Sequence, residues 1–188
     1  MKNDGTIVKQ GMSMKGIYTF TKAFLETPRQ FALDREIKQR KDSGLEFMSL
    51  VRELNSICRT EKIVFENIIP TVGRTMIANN LTSASPTNVM KLTHCALGSS
   101  STSPTNADTQ LGTEVYRNAI ASLSNANNVG YATGFFTTTE TTGTYAECGI
   151  FSNGTGTANS GVLLSHVLIS ITKTNTQTLT LDWTLTIS

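Results

Sequence analysis

The chain has 188 residues, 38% of them apolar, with four prolines and a formal net charge of +2, enough for one good core or a core with a small appendage. Such a composition excludes a fibre and a disordered tail, and so small a charge gives no footing for a nucleic-acid partner. The charge is unevenly spread, because 13 of the 16 Lys and Arg lie in residues 1–80; the Thr-, Ser-, Asn- and Gly-rich second half suits a surface assembled against neighbours or exposed outside cells better than a free cytosolic enzyme.

Met1 to Ser13 is polar and reads as an arm that orders against a partner. It lacks the apolar h-region of a signal peptide, and no apolar run in the chain approaches the ~18 residues of a membrane span. Gly16 to Lys22 alternates apolar with polar and predicts a first strand, whose partner is the β-branched run Glu61 to Ile69, ended by Pro70. Between them, Thr27-Pro28-Arg29-Gln30 has capping-box spacing with Pro at the first helical position, which predicts a helix to about Lys41, stopped by Asp42-Ser43-Gly44. A second box, Ser43 with Glu46, opens a helix whose Phe47, Leu50, Val51, Leu54 and Ile57 share one face. After Pro70 a short amphipathic helix to Leu81 is expected, with Thr71 as its N-cap.

Beyond the polar linker Thr82 to Asn88, strands are expected at Lys91–Gly98, Glu114–Ser122, Val129–Thr138, Tyr145–Phe151, Gly161–Thr172 and Thr178–Ile187. Short strands at regular spacing with turn-rich connections indicate a sandwich. The last strand organises it. Leu179, Leu181, Trp183, Leu185 and Ile187 alternate with Thr178, Thr180, Asp182, Thr184 and Thr186, and each buried aliphatic side chain stabilises by roughly 1.5–3 kcal/mol, so something must cover that ridge. The apolar run Gly161–Thr172 is the nearest cover, and the turn Lys173 to Thr176 suggests that the two form a core hairpin. Trp183 is then core. The Thr-lined outer face, with only Lys91, Arg117 and Lys173 as cations in residues 81–188, is expected to be covered by neighbours.

Residue patterns for chemistry are sparse. Cys58, Cys95 and Cys148 have no CxxC spacing and read as free buried thiols of a chain made in a reducing compartment. His94 and His166 lie inside predicted strands with no ligand spacing nearby, and His94 with Cys95 points to opposite faces. Asp108 reads as a loop carboxylate closing an Asx-type turn, and Glu114 and Arg117 as strand residues bracing that loop. These patterns predict no catalytic, cofactor-binding or metal-binding residue, no cofactor and no metal.

His94-Cys95-Ala96-Leu97-Gly98, a Ser/Thr loop with Pro104, and then Asp108-Thr109-Gln110-Leu111-Gly112-Thr113-Glu114 with Arg117 together resemble small virion proteins of tailed bacteriophages. Glu147-Cys148-Gly149-Ile150-Phe151, the ending Lys173-Thr174 with Leu179 to Trp183, and the lead-in Asn67 to Arg74 extend the resemblance over about residues 62–187. It implies a non-enzymatic structural subunit of a tail, neck or capsid appendage, made in the host cytoplasm and incorporated into the virion.

The expected protein is therefore mainly β. A C-terminal antiparallel β-sandwich over 82–188 follows an arm over 1–14 and a docking region over 15–81, the latter an N-terminal β-hairpin interrupted by an αα-hairpin insert. The expected partners are further copies of the chain and other virion proteins, with no nucleic acid and no membrane. Two rivals stand beside this: a receptor- or glycan-binding module presenting Thr137 to Tyr145 and Ser152 to Ser160, and a hydrolase on a jelly-roll-like scaffold.

Overall fold

The computed structural model describes residues 13–41, 45–87 and 89–188. Its elements run β1 (Met14–Phe24), α1 (Pro28–Gln39), α2 (Leu45–Ile57), β2 (Arg59–Glu66), α3 (Thr71–Thr82), β3 (Leu92–Gly98), β4 (Glu114–Ala119), β5 (Ser122–Ala126), β6 (Val129–Phe136), β7 (Gly143–Ser152), β8 (Val162–Lys173) and β9 (Gln177–Ile187). Two antiparallel sheets form, sheet A in the order β2-β1-β9-β6-β5 and sheet B in the order β4-β3-β7-β8. They enclose one core, giving the expected mainly-β sandwich with a helical hairpin between its first two strands. The arm expected over 1–14 lies outside the described residues up to residue 12, as do the helix stop at Asp42-Ser43-Gly44 and the cap at Ser43.

The alternation of β9 holds up to Trp183, beyond which Leu185 is half-buried and Ile187 is 42% exposed. Leu179, Leu181 and Trp183 are buried, Trp183 at 1% exposure, against Tyr18 and Phe20 of β1 and Leu164, Val167, Ile169 and Ile171 of β8. The pairing differs from the expected hairpin. β9 bonds to β1 and β6, whereas β8 bonds to β7, and the turn between them crosses from one sheet to the other. The physical reason lies in the two apolar faces. Side by side in one sheet both would still need a cover, whereas facing each other across the core each covers the other.

That topology also moves a boundary. β1 sits between β2 and β9, with Tyr18 opposite Trp183 and Phe20 opposite Leu181, so a division of the chain at residue 82 runs through sheet A. The run expected as one strand from Glu114 to Ser122 is likewise two. Ile120 N–H still donates to Thr93 in sheet B while Ala121 N–H donates to Thr133 in sheet A, each 2.8 Å, so the chain changes sheets between them.

The helical hairpin sits on the outer face of sheet A. Thr27 accepts from the Gln30 amide, and the Gln30 side chain accepts from Thr27 N–H at 2.9 Å, closing the expected capping box. Gln30 Nε2 also donates to the carbonyl of Ile57 at 2.7 Å, which ties the start of α1 to the end of α2. Phe47, Val51 and Leu54 of α2 join Leu33 and Ile37 of α1 in a second core that rests on Phe135 of β6, with Phe47 and Phe135 edge to face at 5.7 Å. The hairpin thereby buries Thr178 and Thr180. The Thr face expected to await neighbours is thus partly covered by the chain's own insert.

α3 begins at Thr71 with Pro70 in the cap position and no side-chain cap bond, so Thr71 is not the N-cap. Proline supplies the fixed φ there, and the Thr71 amide donates to Asn106 at 2.9 Å instead. α3 lies against β8, where Gly73 lets the helix backbone approach; a Cβ at that position would sit 3.0 Å from the Leu163 carbonyl.

Candidate functional site

A cluster of three titratable groups, Glu147, His166 and Asp108, is built on β7, β8 and the loop before β4. A bulge between Tyr145 and Glu147 breaks the alternation of β7. Tyr145, Cys148 and Ile150 therefore face the core, while Glu147, Gly149 and Phe151 lie on the other face of sheet B. Glu147 has no exposed surface. It lies over Gly98 of β3, where any Cβ would collide with its carboxylate, so the glycine that ends β3 is required by the acid beside it.

Glu147 is a hub for loop 99–113. Its Oε1 accepts from the amides of Thr113 at 2.7 Å and Ser100 at 3.3 Å, and its Oε2 accepts from Gly112 at 2.9 Å. His166 of β8 completes the arrangement, with Nε2 at 3.0 Å from Glu147 Oε2 and Nδ1 at 2.8 Å from Asp108 Oδ2. Asp108 in turn accepts from the amide and hydroxyl of Thr105 at 2.8 and 2.7 Å, so it closes its loop onto a residue three positions upstream rather than as the expected Asx-type turn, which takes a following amide. Burial pushes the Asp108 carboxyl up, but the bonds from Thr105 and His166 outweigh this and hold it below the usual carboxylate range. Leu111 anchors the far end of the loop among Ala96, Phe151 and Leu163, over a Gly149 with no side chain to obstruct it.

A cavity of about 290 Å³ adjoins the cluster, lined among others by Ser100, Thr105, Asp108, Gly112, Glu147 and His166. An acid, a histidine and a hydroxyl invite comparison with nucleophilic catalysis, which needs one ring nitrogen held by an orienting acid and the other turned to the nucleophile or substrate. Here both nitrogens face carboxylates, and Ser100 Oγ accepts from the Thr102 amide at 3.3 Å rather than meeting the imidazole. The geometry fastens a loop. Sequence reading missed it because His166 lies 58 residues from Asp108 and 19 from Glu147, on three different segments.

No family model, curated protein or solved structure matches this chain.

The remaining polar clusters fasten other loops. Glu114 and Arg117 form a buried ion pair with contacts of 2.5 and 2.7 Å. The loop they brace is 153–161 rather than 99–113, since Arg117 donates to the Thr155 and Ser160 carbonyls and Glu114 accepts from the Asn159 amide. Asp34 of α1 accepts from Thr138 Oγ1 at 2.5 Å, with burial raising its carboxyl despite that bond. Lys173, 1% exposed, donates to the carbonyls of Glu140 and Thr141 at 2.9 and 3.1 Å. Burial pushes its ammonium down to about 8, against the pull of Asp34 and Glu140.

Cys95 and Cys148 are fully buried free thiols and Cys58 is a half-buried one; burial raises Cys95 to about 12. His94, whose ring is held below its usual value by burial and by Arg117, points away from Cys95, which packs in the core. Among the described residues, no group of three or more His, Cys, Asp or Glu is placed to hold a metal ion, and no helix is long and apolar enough to cross a membrane.

Proposed function

We propose that the chain is a non-enzymatic structural subunit of a tailed-phage virion, a component of its tail, neck or capsid appendage that assembles with itself and with a neighbouring virion protein. One observation carries this reading. The residues by which the sequence resembles such proteins converge in space on one fastening device: Gly98 beneath Glu147, Asp108 on His166, Leu111 over Gly149, and the Gly112 and Thr113 amides on Glu147. A motif that spends its acids and its histidine on holding a long surface loop serves a subunit whose loops must keep one shape in an assembly.

The end of the sandwich adds support for self-assembly. Met90, Leu123 and Ile187 are 46%, 50% and 42% exposed and line one groove of about 250 Å³, apolar surface of the kind that marks protein contacts. Such a contact replaces the Thr face, which the helical hairpin partly occupies. The test is mass spectrometry of particles purified from the phage that encodes the chain, together with light scattering of the isolated chain. The chain is expected in the particles at fixed stoichiometry and in solution as a closed oligomer. Its absence from purified particles would overturn the proposal.

A further inference from the structure

The helical hairpin covers only part of the outer face of sheet A. Where it stops, a cleft of about 470 Å³ opens between α2 and the strands β5, β6 and β9, within the ~300–1,000 Å³ range of small-molecule sites. Arg52 and Asn55 come from the helix side, and Tyr131, Thr133 and Asp182 from the sheet side. This cleft shares no residue with the fastened loop on sheet B.

Its polar groups are held in place but not used up. Asp182 Oδ1 accepts from Thr133 Oγ1 at 2.7 Å, one of about four acceptor positions that a carboxylate carries. Burial raises this carboxyl, against the Thr133 bond and the charges of Lys62 and Arg52. Asn55 Nδ2 donates to Thr180 Oγ1 at 3.4 Å, while its Oδ1 is buried without a hydrogen-bond partner among the described residues. An orphaned buried acceptor carries a cost that a ligand hydroxyl would remove. Tyr131, 39% exposed, lines both this cleft and the neighbouring apolar groove of Met90 and Ile187.

We propose that this cleft binds a neutral sugar residue, free or as part of a glycan, with Asp182 and Asn55 receiving its hydroxyls and Tyr131 packing against its C–H face. The donor and acceptor set selects the ligand class. A carboxylate and an amide oxygen ask for O–H donors, which every sugar hydroxyl supplies while also accepting from a group such as the Arg52 guanidinium. Asp182 opposes an anionic ligand, and Arg52 with Lys62 opposes a cationic one. This goes beyond the structural role and does not depend on it.

The experiment is saturation-transfer NMR on the full chain with glucose, galactose, mannose and N-acetylglucosamine, repeated on Asp182→Asn, Tyr131→Ala and Thr157→Ala. Folding of each variant is checked by the emission of the buried Trp183. Transfer to at least one sugar is expected, with Kd raised at least about tenfold by Asp182→Asn or Tyr131→Ala and unchanged by Thr157→Ala. Tyr131→Ala carries the test if Asp182→Asn fails to fold. No transfer to any of the four sugars overturns the proposal. So does transfer that survives the cleft substitutions, or transfer lost only in Thr157→Ala, which would move recognition to loop 153–161.

Discussion

The two outer faces of this sandwich treat polar side chains in opposite ways. On sheet B, Glu147, His166 and Asp108 turn towards one another and towards the backbone of loop 99–113, so that both ring nitrogens and both Glu147 oxygens are occupied from within. On sheet A, Asp182 uses one oxygen on Thr133, and Asn55 has a buried oxygen without a partner among the described residues. The difference teaches that residue type alone does not mark a site. An acid whose acceptor positions are filled internally stabilises the fold, whereas one left with vacant positions beside a cleft can serve a ligand.

Substitutions of graded effect can break or sharpen this contrast. Trp183 lies in the core between the two sheets and sets the scale, so Trp183→Ala should cost about 3–5 kcal/mol in chemical denaturation. A loss below about 1 kcal/mol would mean that the sheets do not depend on a common core. Glu147→Gln comes next. It keeps the shape but turns an NH₂ towards donors, and the amides of Ser100, Gly112 and Thr113 lose a charged acceptor, for a loss of about 2–3 kcal/mol. An unchanged denaturation midpoint would show that the loop is held by something else.

Lys173→Met should cost about 1–3 kcal/mol by removing the donor that serves the Glu140 and Thr141 carbonyls, and it carries a pH signature. The ammonium is held at about 8 in the folded chain against 10.5 as its ordinary value. Between these values the unfolded chain binds more protons, so the lysine's contribution to stability rises with pH across that window. The buried Cys95 and Cys148 thiols act oppositely above their ordinary value of 9.0, because burial raises both. The variant isolates the lysine, and the gap between wild type and Lys173→Met should widen from about pH 8 to 10.5. A gap that stays constant would place the ammonium in water. Asp182→Asn should have the smallest effect, within about 0.5 kcal/mol, since an amide can still accept from Thr133. A large loss would make Asp182 a fastening residue like Glu147 and erase the contrast between the faces.

What the sequence made legible follows from what local patterns encode. The period of β9 reports that Leu179, Leu181 and Trp183 turn to the core, and the Thr27–Gln30 box reports where α1 starts, because both depend on neighbours within a few residues. Which strand lies beside β9 is not so encoded. Facing and pairing both bury the same alternate residues, so the β8–β9 hairpin was as consistent with the pattern as the observed crossing. The site was less legible still. Asp108 could be read as a turn-closing acid from its own loop, but its histidine and the second acid arrive from β8 and β7, and a bulge that no periodicity announces turns Glu147 outward. The cover over Thr178 and Thr180 was hidden for a similar reason, since the helices that provide it fold back from more than a hundred residues upstream.

The most direct test of the account is amide hydrogen exchange at Gly112 and Thr113, the two loop residues whose N–H groups point at Glu147 from 2.9 and 2.7 Å. If the acid–histidine–acid cluster fastens loop 99–113, both amides exchange as slowly as the strand amides of β3 and β7 in the wild-type chain. In Glu147→Gln they should lose that protection while the strands keep theirs. Rapid exchange at Gly112 and Thr113 in the wild-type chain, or protection that survives the substitution, would contradict it.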